Sequence, residues 1–246
     1  MKKILITGAS GDLGSSIATK IASELKENAL LILHYHGNLK KVDALAKKLC
    51  KKYGCKTEIV KADLTDLNET ENLGEQIIKQ YGGVDILINN AAIVLDADLN
   101  ERTKEMFTKT INCNLISPFI LSKQLGQIMN KKGKGKIINI SSTNGIDYNS
   151  PYSLDYDASK AGLISLSKNL AMLLPNVNVN CVAPHWMNTQ MNNDLEKEFL
   201  QEEANKIIKG RFAETDEVAE FVWFLLSDKA NYLTGQTYSF GSYKYW

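Results

Sequence analysis

Tyr156 and Lys160 stand four residues apart in the stretch YDASK. On a helix that spacing puts both side chains on one face. A free phenol titrates near 10, which makes it a poor proton donor and acceptor around neutrality. An ammonium about 4 Å away contributes roughly 4 kcal/mol at an effective dielectric of 20, about 3 pKa units at most. The pair therefore reads as a proton-transfer couple, with the lysine drawing the tyrosine toward neutrality. Carbonyl reduction needs such a couple, because the alkoxide left by hydride addition must take up a proton. By itself the spacing also fits two residues on an ordinary helix surface.

Such a couple has to be held by a scaffold. Short apolar runs at residues 3–7, 30–34, 57–61, 85–89, 136–140 and 177–182 read as strands, with 235–240 as a seventh. Nearly continuous apolar strands are those buried on both faces. Between them lie amphipathic stripes, such as Leu13, Ile17, Ile21 and Leu25, or Leu163, Leu166, Leu170 and Leu174. Strand alternating with helix predicts an α/β fold. Residues 1–246 read as a single domain, a doubly wound Rossmann-type parallel sheet of about seven strands with helices on both faces. Ligands of such sheets sit outside the carboxyl ends of the strands.

The first strand runs into TGASGDLG (7–14) and then a helix. Gly8, Ser10, Asp12, Leu13 and Gly14 are placed for a dinucleotide diphosphate at a helix N-terminus. The second strand is followed by HYHGNLKK (34–41), with no carboxylate for an adenosine ribose. Tyr35 takes that position, and His34, His36, Asn38, Lys40 and Lys41 make the region polar to basic. This favours NADP(H) through its 2′-phosphate, with NAD(H) as the alternative. His34 and His36 also have the spacing of a metal pair, but no third ligand is evident, and no metal is expected. After the third strand, Asp63 and Leu64 fall beside the adenine, where Asp63 either accepts from the base or caps the next helix. After the fourth, Asn90 and Ala91 are small enough to pack against a cofactor. After the sixth comes APHWMNT (183–189).

In order along the chain, NNAA, NCNLISPF, GKIINISS, YDASKAG, VNVNCVAP and GRFAETDEVAEFVWFLLSDKANYLTGQ resemble the short-chain dehydrogenase/reductase family, over almost the whole length. The last stretch is similar to the bacterial 3-oxoacyl-acyl-carrier-protein reductases and to related sugar or alcohol dehydrogenases. The resemblance implies a catalytic tetrad of Asn114, Ser142, Tyr156 and Lys160. In it Ser142 polarises the carbonyl, Lys160 also bonds the nicotinamide ribose, and Asn114 holds a water linking Lys160 to solvent. Pro184, the backbone of Met187 and Thr189 would hold the nicotinamide end. The implied activity is hydride transfer between NADP(H) and a carbonyl or secondary alcohol, with a 3-oxoacyl thioester or a small keto or sugar compound as substrate. The rival readings are a sugar or alcohol dehydrogenase using NAD, a non-catalytic dinucleotide sensor, and an epimerase or dehydratase.

Several positions depart from the family pattern. Asp12 stands where a glycine is usual, and its carboxylate is expected to repel a diphosphate by about 2–3 kcal/mol. Ala92 and His185 also replace glycines, and His185 would border the substrate. The tail GSYKYW ends in Tyr243, Tyr245 and Trp246. The balance of 29 basic and 28 acidic residues argues against nucleic acid or a membrane surface as the main partner. The four cysteines are scattered, which suits a reducing cytoplasm. Lys131, Lys132, Lys134 and Lys136 either attract an acidic carrier protein or form a solvated loop. Family practice implies a homotetramer or homodimer, joined through helices near 101–130 and 153–174.

Overall fold

The computed structural model describes residues 1–193 and 195–244. Seven strands are present: β1 (Lys2–Ile6), β2 (Ala29–Tyr35), β3 (Lys56–Lys61), β4 (Ile86–Asn89), β5 (Gly135–Ile140), β6 (Val177–Pro184) and β7 (Thr237–Phe240). All pair in parallel, in the order β3-β2-β1-β4-β5-β6-β7. The order reverses between β1 and β4, the switch point where open α/β sheets bind ligands.

Helices α1 (Asp12–Leu25), α2 (Leu39–Tyr53) and α8 (Thr215–Leu226) cover one face. Helices α3 (Leu67–Tyr81), α5 (Ser117–Lys131) and α6 (Leu154–Leu173) cover the other. Each face buries one stripe per helix: Ile17, Ile21, Val42, Leu49, Val222 and Leu225 on the first, Leu73, Ile77, Leu121, Leu125 and Leu170 on the second. Chain chemistry sets the helix ends. Asn38, Asp66 and Thr103 accept first-turn amides at the starts of α2, α3 and α4 (Lys104–Ile111). Gly54 and Gly82 close α2 and α3 in the left-handed region. The remaining helix, α7 (Lys197–Lys206), crosses above the end of β6.

The helix expected near 101–130 is divided. After α4 the chain makes a π-helical turn over Asn112–Ile116 before α5 begins. Such turns recur at functional sites because they re-aim side chains within a continuous helix. Here the turn buries Asn114 and leaves Asn112 to donate to Thr65 O.

The lysine run lies at the amino end of β5, about 20 Å from its carboxyl end at 3.3 Å per residue. Lys136 Nζ donates to Leu225 O and Ser227 O, and Lys132 Nζ to Gly82 O. Those two lysines cap helix ends, while Lys131 and Lys134 are exposed, and the run lies at the end of β5 opposite the carboxyl-end cleft.

One tie fixes the start of α6. Arg102 Nη1 lies 2.6 Å from Asp155 Oδ1, and the two side chains are 4% and 0% exposed. Asp155 Oδ1 also accepts from the amide of Tyr156, while Arg102 Nη2 donates to Ala97 O and Tyr152 O. Arg102→Met strands a buried carboxylate and is expected to destabilise the fold by about 3–5 kcal/mol. Urea unfolding measures this, and a loss below about 1 kcal/mol would show that the pair is not a structural tie.

Candidate active site

The loop after β1 is built from backbone constraints. Gly8 has φ +65, and a Cβ there would lie 2.9 Å from Ala91 Cα. At Gly14 an added Cβ would lie 2.3 Å from Gly8 O. Both positions exclude side chains, so the loop packs directly against the end of β4. Thr7 Oγ1 accepts from the amides of Asn90 and Ala91 at 2.9 and 3.0 Å, and Asn90 Nδ2 donates to Thr7 O at 2.9 Å. Asn90 and Ala91 thus hold the loop as well as flanking the groove.

His34 completes this support. Its Nδ1 accepts from Gly8 N at 3.1 Å and its Nε2 donates to Ala62 O at 3.0 Å. With both nitrogens committed, the proposed His34–His36 metal pair dissolves into a structural bracket. The ring is buried, which pushes its pKa down to about 4.

No side chain caps the N-terminus of α1. Its first-turn amides and dipole face the groove, together with Ser10 and the buried Leu13. This end fits an anionic diphosphate. Asp12 does not point at it unopposed, contrary to the repulsion expected from sequence. Asp12 Oδ1 accepts from Lys41 Nζ at 2.9 Å and Oδ2 from Gln190 N at 2.6 Å. Those bonds hold its carboxyl below the usual range despite the opposing effect of burial. The carboxylate clamps the loop after β6 to the phosphate loop. A cleft of about 640 Å³ opens beside it, lined by Ser15, Thr189, Gln190, Asn193 and Phe212.

At the end of β2, Tyr35 departs from expectation. Its ring is 8% exposed and belongs to the core, not to a ribose position. The polar groups there are exposed His36, Asn38 and Lys40 and half-buried Lys41. Asp63 Oδ1 accepts from Thr65 N and Thr65 Oγ1, while Oδ2 lies 3.6 Å from His36 Nε2. Asp66, not Asp63, caps α3. Leu64 is buried in the core, and only its backbone remains to meet a ligand.

Ser142, Tyr156 and Lys160 converge at the carboxyl end of β5. Lys160 is 2% exposed, donates to Ile140 O at 2.8 Å and lies 5.4 Å from the Tyr156 ring centre. Ser141 Oγ donates to Lys160 O at 2.8 Å, so Ser141 anchors α6, while Ser142 Oγ donates to Asn144 Oδ1 at 3.0 Å and accepts from Asn144 N at 3.2 Å, close enough to Tyr156 to influence its phenol. Gly145 packs against the α6 backbone, where an added Cβ would meet Lys160 C at 2.6 Å. Asn114 is fully buried; its Oδ1 accepts from Ile93 N, and its Nδ2 donates to Ile93 O and Ser159 Oγ. Ser159 in turn donates to Tyr156 O. The Asn114 side chain therefore positions the α6 turn.

The electrostatics reverse the sequence-based estimate. Burial pushes Tyr156 up to about 12, partly offset by the neighbouring Ser142 hydroxyl, while Asp157 and Asp96 add repulsion. Burial pushes Lys160 down to about 8. Removal from water is the largest cause of both shifts, and the ammonium spends one N–H on a carbonyl. The phenol is accordingly protonated near neutrality.

Beyond β6, Pro184 is the last strand residue, and Met187 pairs in a bridge with Ala213. Met187 O accepts from Asn192 Nδ2, leaving its N–H side to a ligand. Tyr243 of the tail lies against His185 and donates to Glu203, while Tyr245 and Trp246 lie outside the described residues. Sequence reading missed this cluster, as it missed Arg102–Asp155 and the Lys41–Asp12 pair. No local signal marks partners 29 to 58 positions apart.

The geometry defines a dinucleotide groove leading to a tyrosine–lysine–serine centre, and comparisons agree. Residues 11–240 match the family described as Enoyl-(Acyl carrier protein) reductase. The chain is 35% identical over 239 residues to a 3-oxoacyl-[acyl-carrier-protein] reductase, FabG, of Thermotoga maritima, covering 96% of this chain and 94% of that relative. Among solved structures, a short-chain dehydrogenase/reductase of Serratia marcescens superposes with TM-score 0.88 at 30% identity, covering 97% of this chain and 95% of that one. L-sorbose reductase of Gluconobacter frateurii, complexed with NADPH and L-sorbose, gives 0.86 at 28%, covering 97% and 94%. The chain belongs to the short-chain dehydrogenase/reductase family of oxidoreductases.

Two predictions follow from the groove. His34 binds a proton more readily unfolded than folded, so its contribution is complete above pH 6.5 and is lost as pH falls toward about 4. Across that window it costs roughly 3 kcal/mol. Melting temperature against pH should fall less steeply for His34→Gln than for the parent; equal slopes would rule the effect out. For the clamp, Lys41→Ala leaves the Asp12 carboxylate unopposed and should weaken cofactor binding about tenfold by calorimetry. Adding Asp12→Ala should restore the part of that loss due to repulsion but not the part due to Lys41 itself, and no restoration would acquit Asp12.

Proposed function

We propose that this oxidoreductase is an NADP(H)-dependent carbonyl reductase in which Tyr156 delivers the proton. The observation carrying the reading is the convergence of Ser142, protonated Tyr156 and buried Lys160 at the end of β5. A reduced nicotinamide would supply the hydride. The Ser142 hydroxyl orients the carbonyl oxygen. Tyr156 donates its O–H proton to that oxygen as charge builds there. The resulting tyrosinate is stabilised by the ammonium of Lys160, which at about 8 can release and regain a proton near neutrality. Two further ammonium N–H groups of Lys160 remain to bond a ribose hydroxyl. A phenol held in its protonated form suits the reductive direction.

The 2′-phosphate reading rests on Lys41 and His36 at the end of β2, where no carboxylate stands to receive a ribose diol. The NADPH complex of L-sorbose reductase supports it by likeness. The substrate reading is a ketone with further oxygen, either a 3-oxoacyl thioester as in the FabG relative or a ketose. Assembly into a homotetramer or homodimer is supported by exposed Phe119 on α5 and exposed Met172 and Leu173 on α6, the helices through which the family associates.

The test is NADPH oxidation with acetoacetyl thioesters and ketoses. Tyr156→Phe should cut kcat by about 10²–10⁴-fold while cofactor affinity stays within about threefold. A phenylalanine variant that keeps more than a tenth of the parent rate would overturn the assignment.

A further inference from the structure

His185 carries a hydrogen-bond donor with nothing to receive it. The residue follows the last position of β6, and its backbone amide is bonded to Phe240 O at 3.0 Å. It is 8% exposed. Its Nδ1 accepts from the amide of Trp186 at 2.8 Å. In a neutral imidazole the other nitrogen then bears the hydrogen. Burial lowers its basicity, against smaller opposing effects from Glu203 and Asp147, so the ring is neutral. The Nε2–H has no hydrogen-bond partner among the described residues.

Its surroundings belong to the reaction end of the cleft. The ring lies 6.2 Å from Tyr148, in the segment that continues from Ser142, and 4.2 Å from Tyr243 in the tail after β7. Tyr148 and Tyr243 meet edge-on at 5.2 Å. Their neighbour Glu203 is already engaged by the Tyr243 hydroxyl and by Lys206. The result is a small aromatic box with one neutral donor and no free charge, joined to the residue after Ser142 by the Tyr148 amide, which donates to Thr143 O at 3.3 Å. A buried donor left bare is costly, so a ligand with a matching acceptor is selected over one without.

We infer that His185 is a specificity residue whose Nε2–H bonds a second, uncharged oxygen of the substrate, so that ketones bearing a neighbouring carbonyl or hydroxyl are preferred over simple ketones. This rests on the carbonyl-reductase reading above. The two tyrosine faces suit the C–H groups that flank such oxygens. A glycine at this position, as is usual in the family, offers no donor.

The experiment uses the full-length protein with NADPH and three substrates: an acetoacetyl thioester, L-sorbose and 2-pentanone. The readout is the ratio of kcat/KM for the oxygenated substrate to that for 2-pentanone. His185→Asn keeps an acceptor at the Nδ1 position for Trp186 but removes the Nε2 donor. His185→Gln places a donor near Nε2 but loses the Trp186 contact. The ratio should fall about tenfold in His185→Asn and stay within about threefold in His185→Gln. The substrate whose ratio falls identifies the oxygen as thioester carbonyl or sugar hydroxyl. A purely structural role predicts the opposite ranking, with His185→Gln the worse variant, and overturns the inference. An unchanged ratio in His185→Asn also overturns it and leaves the Nε2–H satisfied by the Tyr243 face. If the parent reduces 2-pentanone but shows no preference for oxygenated ketones, only this inference fails. If the parent reduces none of the three, the functional reading fails with it.

Discussion

The end of β5 and the second turn of α6 exchange hydrogen bonds: Lys160 Nζ donates to Ile140 O, and Ser141 Oγ donates back to Lys160 O. The remainder of the site is referenced to this exchange. It sets the height of α6 above the sheet, and with it the reach of Tyr156 toward Ser142. It also holds an ammonium where almost no water reaches, which is why the lysine becomes less basic. Gly145 permits the close approach, since any side chain there would strike the helix backbone.

Behind that contact runs a buried polar ladder. Asn89 on β4 donates to Ser122 on α5 and to Asn139 on β5, Asn139 donates to Ser167 on α6, and Ser167 donates to Leu163 O. Every link spans two elements or locks a helix turn, so α5, α6 and two strands are registered by directional bonds as well as by apolar packing. Apolar contacts alone tolerate small slides; a chain of directionally bonded amides and hydroxyls does not. Asn114 adds the same kind of restraint from the π-helical turn, joining Ile93 to Ser159.

The strands were legible because burial on both faces demands continuous runs of Ile, Leu and Val, and such runs mark themselves. The glycine loop and the Tyr156–Lys160 spacing were legible for a similar reason: each is a local pattern. What misled was chemistry decided at a distance. Tyr35 looked like a polar-tipped residue at a strand end, yet packing against α2 takes its ring inward. Asp12 looked like an unshielded charge because Lys41 and Gln190 lie 29 and 178 residues away. The tyrosine–lysine estimate considered only attraction, since separation along a helix is visible in sequence. Loss of water depends on everything packed around the pair, and it is the largest cause of both shifts.

The tie between Thr7 and the amides of Asn90 and Ala91 has a temporal side. β1 leaves the ribosome some 80 residues ahead of its neighbour β4. At about 5–20 residues per second, the nascent glycine loop waits roughly 4–16 s for the partner that closes it. During that interval the apolar Ile4–Ile6 segment has only β2 to shelter one edge. Chaperone contact on the emerging chain would therefore fall mainly on the amino-terminal hairpin-less pair β1–β2, before any part of the reaction centre exists.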